Sequence, residues 1–161
     1  MKKIFVLDEN ILYFASSGTN EKGEDDNTCT ELIRDIVQQC HKIILDSKLQ
    51  EIYLQDLNKL KSGKVINEIV LLLVQLLKNS DKYIFYPNDP SCLSDKELGY
   101  LPINDDHDIY MVRSAKERDV PLITKDGRLL EKIEKAKENG FFSKVQALSP
   151  EKIIWNKQKG D

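Results

Sequence analysis

Short runs of apolar residues alternate along the chain with longer segments in which apolar residues recur at helical spacing. Five of the short runs have the length and composition of strands buried in a sheet. They lie at residues 3–7, 42–45, 83–86, 121–124 and 145–148. Helical spacing fills the intervals, most clearly at 28–40, 46–60, 105–118 and 128–137. The alternation predicts an α/β fold, a three-layer sandwich with a mainly parallel central sheet flanked by helices.

Three segments depart from this regular pattern. The predicted helix from Val65 to Leu77 is apolar on nearly every side, so it must be buried in the core or against a second subunit. A homodimer is therefore one expectation, and burial within the monomer is the alternative. The polar segments 16–27 and 87–104 are predicted to be long connections.

Composition excludes several classes of protein. A chain of 161 residues suits one domain, so we expect a single domain over residues 1–161. With 24 basic and 27 acidic residues the net charge is −3, which excludes a polybasic binder. The three cysteines form no C-x-x-C pair, which speaks against a disulfide framework or a cysteine zinc site. Neither a secretory leader nor a membrane-spanning run is evident, and a cytoplasmic location is expected.

Acidic residues follow two of the predicted strands. Asp8 comes directly after the first strand, and Asp126 follows the fourth after one residue. Their carboxylates would meet at one edge of a parallel sheet. Asp108 shares a helix face with Met111 and Ala115, so it points inward, which is costly unless it is paired, hydrogen-bonded or metal-bound. The spacing thus predicts an acidic cluster, although turns and helix caps explain each residue taken singly.

Four segments, taken together and in order, resemble the PIN-domain nucleases. Phe5 to Leu12 resembles the opening strand of that family, with an aspartate, any residue and then asparagine. Asp108 to Ala115 is similar to its third acidic motif, and Leu122 to Asp126 to its last, a strand ending in threonine, any residue and aspartate. Ile43 to Glu51 resembles the strand and helix that carry the second acid. The resemblance spans residues 3 to about 130.

The resemblance implies a compact α/β sandwich that binds Mg²⁺ or Mn²⁺ and cleaves RNA. It assigns the roles of catalytic group and metal ligand to four residues, Asp8, Glu51, Asp108 and Asp126. Asp105, one helical turn before Asp108, is either a further ligand or a helix cap. Asp46, at the end of the second strand, is an alternative second acid, because helical periodicity places Glu51 away from the apolar stripe of its helix. One metal ion and two remain equally open.

Neutral and basic residues complete the predicted site. Asn10 and Thr124 are expected to hold a carboxylate or a phosphate by hydrogen bonds, although both also suit caps and turns. Four basic side chains near the motifs are predicted to contact the substrate, namely Lys48, Arg113, Lys125 and Arg128. Each of them has simple solvation as its alternative. His107 beside the acids is interpreted as a surface residue.

Three functions follow as hypotheses. The first is a Mg²⁺- or Mn²⁺-dependent endoribonuclease acting on single-stranded or looped RNA, and the small size suggests resemblance to VapC-like toxins with a cognate antitoxin as partner. The second is a catalytically inactive PIN-fold module that binds RNA or protein. The third, a response-regulator-like or phosphatase-like domain, lacks a convincing phosphate-accepting aspartate.

Overall fold

Five short strands, all parallel, form one sheet in the order β3-β2-β1-β4-β5. The computed structural model describes residues 3–61, 68–102 and 105–153. The strands are β1 (Ile4–Leu7), β2 (Lys42–Leu45), β3 (Tyr83–Phe85), β4 (Leu122–Ile123) and β5 (Ala147–Leu148). The helices are α1 (Glu9–Ser17), α2 (Thr28–Gln38), α3 (Ser47–Lys61), α4 (Glu68–Lys78), α5 (Asp95–Leu98), α6 (Asp106–Arg118) and α7 (Gly127–Glu138). The predicted α/β fold with a parallel sheet between helices is confirmed.

The central strands are buried because helices cover both faces of the sheet. Phe5, Val6 and Leu7 of β1 are inaccessible to solvent or nearly so. Continuous apolar runs suit this position, since neither face of the strand needs a polar residue. The hydroxyl of Tyr53 on α3 donates to the carbonyl oxygen of Leu7 and fixes α3 against the end of β1.

Helix α4 accounts for the most apolar segment of the sequence. Residues 65–67 of the predicted helix lie outside the described residues. The side chains that face α2 and the rest of the core are buried, namely Ile69, Val70, Leu73, Leu76 and Leu77. Leu71 remains 58% exposed. Burial within the chain therefore accounts for most of this apolar surface.

The strand order places a crevice beside β1. The chain first adds β2 and β3 on one side of β1, and then crosses to the other side to form β4 and β5. In open parallel sheets the loops separate at such a reversal, and ligands bind outside the carboxyl ends of the two strands concerned. The residues that follow β1 and β4 are Asp8 and Thr124.

The two predicted connections contain short pieces of structure. Residues 18–27 fold back through an isolated antiparallel bridge between Thr19 and Asp25. The connection from 87 to 104 contains the single turn of α5, which begins with a capping box at Ser94 and Glu97. Within the described residues, every helix is too short or too polar to cross a membrane.

Candidate acidic site at the sheet edge

Asp8 is buried at the carboxyl end of β1, where it caps the N-terminus of α1. Its Oδ2 accepts hydrogen bonds from the hydroxyl of Thr124 and from Nδ2 of Asn10. Burial raises the pKa of Asp8 from 3.8 to about 6, against the lowering effect of the Thr124 hydrogen bond. The charges of Glu9 and Asp126 raise the pKa of Asp8 further. The fold thus keeps a carboxylate in a place that disfavours its charge.

Asp108 lies in the first turn of α6 and is also buried, as its helical spacing predicted. Desolvation is the largest cause that raises its pKa, from 3.8 to about 7. The charges of Asp8, Asp105 and Asp126 are the next causes. Because the charges of these three acids act on Asp108, the structure brings them within electrostatic reach of it.

Asp126 and Asp105 both cap helices at this edge. The Oδ1 of Asp126 accepts the backbone N–H groups of Arg128 and Leu129, at the start of α7. Asp105 accepts the N–H groups of His107 and Asp108 at 3.1 Å each. Each carboxylate therefore caps a helix, as its position in the sequence allows. The negative charge of each also raises the pKa of Asp108.

The two alternatives for the second acid have partners other than the cluster. The side chain of Glu51 is 57% exposed, 3.6 Å from Nζ of Lys48 and hydrogen-bonded by Gln55. It is not among the charges that most raise the pKa of Asp8 or Asp108. Asp46 is buried, but its Oδ2 lies 2.8 Å from Nη2 of Arg118, which neutralises it. Neither acid joins the cluster in this structure.

Glu9 is the further acid that the structure brings to the site, and sequence reasoning assigned it no role. Its Oε2 is buried without a hydrogen bond, and Nδ1 of His107 lies 2.7 Å away, close enough for an ion pair if the imidazole is protonated. Its charge raises the pKa of both Asp8 and Asp108. The available signal was its place next to Asp8, in the first turn of a helix that begins at the sheet edge.

The basic residues predicted to contact substrate divide into two pairs. Lys125 binds Asp26 at 2.7 Å and also pairs with Glu151, and Arg113 donates to the carbonyl oxygens of residues 90 and 91. Arg128 and Lys48 keep side chains that are 88% and 46% exposed. Arg128, 3.7 Å from Asp126, is the exposed cation of the four that lies beside the cluster.

The carboxylates of the cluster are of the kind that binds Mg²⁺ or Mn²⁺, but they are not arranged as a metal site. Over residues 3–61, 68–102 and 105–153, no group of three or more acidic, histidine or cysteine side chains is arranged to hold a metal ion. Asp8, Asp108 and Asp126 nevertheless offer carboxylate oxygens, which these hard cations prefer. Glu9 adds a buried oxygen, which has Nδ1 of His107 as a neighbour at 2.7 Å. The residues fit the ion in kind, but over the described residues their arrangement does not form a metal site.

Comparison with known proteins does not assign the chain to a family: no family model and no curated protein matches it. The resemblance to PIN-domain nucleases therefore depends on the motifs themselves.

Proposed function

We propose that this protein is a Mg²⁺- or Mn²⁺-dependent endoribonuclease whose site is the acidic cluster of Asp8, Asp108 and Asp126. The observation that supports it is the burial of Asp8 and Asp108 beside further acids at the reversal point of the sheet, where desolvation and the neighbouring charges raise the pKa of both. A fold gains nothing in stability from buried like charges, so such a cluster is more typical of a site for a cation.

The side chains have distinct parts in this proposal. Asp8, Asp108 and Asp126 hold the ion, with Glu51 retained as a predicted ligand and Asp105 as an additional one. When bound, the ion lowers the pKa of water and stabilises charge on a phosphate. Thr124 fixes the site, because its hydroxyl donates to Asp8 and accepts the N–H of Asp126. Arg128 and Lys48 attract the backbone of the RNA to an otherwise acidic surface.

The decisive experiment is cleavage of a mixed RNA pool by the purified chain with Mn²⁺, compared with the same reaction in excess chelator. Asp126→Asn should lower the rate at least about 100-fold, because a charged ligand is lost. Asparagine also caps helices well, so α7 should remain intact. Glu134→Gln, an exposed acid-to-amide change on the same helix, is the matched control and should retain the wild-type rate.

Cleavage that survives the chelator, or that Asp126→Asn leaves unchanged, would contradict the proposal. RNA binding without cleavage would instead favour the second candidate, a PIN-fold module that binds without cutting. The placement of Glu51 in solvent beside Lys48 supports that candidate, because it leaves the predicted ligand set incomplete.

We propose further that the chain acts in the cytoplasm as the toxin of a toxin–antitoxin pair and forms a homodimer. The three cysteines are free thiols, as a reducing compartment requires. The exposed Leu71 on α4 offers apolar surface to a second subunit or an antitoxin.

Growth arrest on expression should be relieved by Asp8→Asn, and sedimentation should show a dimer. Harmless expression without a partner would contradict the toxin role.

A further inference from the structure

A cavity of about 280 Å³ opens between α1 and α3 beside the acidic site. Its apolar walls are Tyr13 and Phe14 of α1 and Leu60 of α3. Glu9 and Asn10 line the end that faces the sheet edge, and the ion pair of Asp56 and Lys59 completes the lining. The volume is at the lower end of the range for ligand sites, about 300–1,000 Å³, so it suits one small planar group.

Tyr13 leaves an aromatic ring in solvent at this cavity. Its side chain is 59% exposed, the most of any large apolar side chain among the described residues. The ring of Phe14 packs against it edge to face, with centroids 5.4 Å apart and planes at 72°. This contact holds the ring of Tyr13 at a defined angle, so an incoming planar group meets a pre-organised surface.

Asn10 makes the cavity continuous with the acidic site. Its side chain lines the cavity, donates to Asp8 Oδ2 at 2.9 Å and accepts the N–H of Lys125 at 3.3 Å. It also lines a second cavity of about 480 Å³ on the other side of α1, which contains Asp126 and Arg128. The second cavity, with Glu21, Asp126 and Glu131 around Arg128, suits a cation, and the aromatic walls of the first suit a flat ring.

We propose that the cavity between α1 and α3 binds one unpaired nucleobase of the RNA, stacked on Tyr13, while the neighbouring phosphate lies at the acidic site. This inference rests on the proposed function, because it needs RNA as substrate. Stacking tolerates every base, since each has a π-face. Lys59 and Asp56, which also line the cavity, pair with each other at 3.1 Å, so stacking rather than charge holds the base there.

The test is fluorescence anisotropy with a labelled single-stranded RNA of about ten nucleotides, a common length for such sites. An Asp126→Asn background removes cleavage from the measurement. Tyr13→Ala should weaken binding roughly 5- to 150-fold, the range for loss of one stacked base. Tyr13→Phe keeps the ring and should bind as the parent does. Phe85→Ala removes another exposed aromatic ring, on β3, and should leave the affinity for the RNA at the parent value.

A series of RNAs with one abasic position identifies the stacked base. An RNA that lacks the base at one particular position should bind the parent more weakly than intact RNA does. Tyr13→Ala should bind that RNA and the intact RNA equally well. Equal affinity of the parent and Tyr13→Ala for intact RNA would overturn the inference. If the wild type still cleaves RNA, the nuclease proposal stands without it. Absence of both RNA binding and cleavage would overturn the two together. A dimer that Tyr13→Ala dissociates, with RNA affinity unchanged, would assign the cavity to a second copy instead.

Discussion

Asp8 and Asp46 occupy corresponding places on neighbouring parallel strands, and the protein treats their charges in opposite ways. Each follows a buried strand, is almost inaccessible to solvent, and accepts a backbone N–H at the start of the next helix. Asp46 lies 2.8 Å from Arg118, which is equally buried. Asp8 has Thr124 and Asn10 as neutral donors and acidic neighbours in place of a cation.

The difference separates a structural carboxylate from one that is open to an external ion. Arg118 supplies Asp46 with its counter-charge, and its guanidinium also donates to Ser114 and stacks over the ring of Tyr86. Burial, with the charges of Glu9 and Asp126, raises the pKa of Asp8 to about 6, so a cation from solution would stabilise its charge. The comparison predicts that the two sites respond differently to mutation, pH and metal.

The largest effect is expected from removing the cation that Asp46 has. Arg118→Met leaves a buried carboxylate unpaired and should lower the free energy of unfolding by about 3–5 kcal/mol, as measured by urea denaturation. Arg34→Met is the matched control, since Arg34 pairs with Glu68 at 3.5 Å in solvent and should cost at most about 1 kcal/mol. Equal losses in the two variants would show that the buried pair is not what stabilises this edge.

A smaller effect on stability is expected from the negative charges of Asp8 and Asp108 when no cation is bound. Their pKa values of about 6 and 7 in the folded chain exceed the ordinary 3.8. Such groups favour the folded state fully below about pH 4, and this contribution is lost as the pH rises through about 7. In chelator, thermal unfolding should therefore show stability falling between about pH 4 and pH 7.

Asp108→Asn should flatten that decline and raise the melting temperature by a few degrees near pH 8, because it removes one of the repelling charges. Mn²⁺ should raise the melting temperature of the wild type at the same pH and have little effect on the variant. The carboxyls whose pKa is lowered, Asp26 to about 2 and Glu97 and Glu151 in the same direction, act at lower pH and do not mask the decline. Stability that rises with pH in chelator would contradict this assignment.

The same contrast shows which parts of the site a sequence can predict. Asp8 and Asp108 were found because strand ends and helical periodicity are local patterns that a parallel sheet converts into proximity. The pairing of Asp46 with Arg118 joins residues 72 apart, and neither has a local pattern that indicates a buried partner. Predicting it requires the path of α6 across the edge of the sheet.

Some charged residues that resemble surface residues in the sequence have distant partners in the structure and others are exposed, for the same reason. Lys125 was predicted to contact substrate, yet its amine is held by Asp26 and Glu151, which approach from a loop and from the helical segment at 150–153. Glu51 could be oriented from its helical wheel, which placed it away from the core, as the structure does. The family resemblance predicts a ligand there, and Glu51→Gln tests it.

The smallest effect distinguishes Glu9 from Glu51 as the fourth acid. Glu9→Gln should weaken Mn²⁺ binding by about tenfold, because its buried oxygen and its charge act directly on Asp8 and Asp108. Glu51→Gln should change the affinity less than about twofold, since exposed charges are screened and Glu51 already faces Lys48. Isothermal titration with Mn²⁺ measures both, and Glu134→Gln serves as the exposed control. If Glu51→Gln proves the more damaging, α3 must turn toward the cluster when the ion binds, and the ligand set is then the one that the motifs predicted.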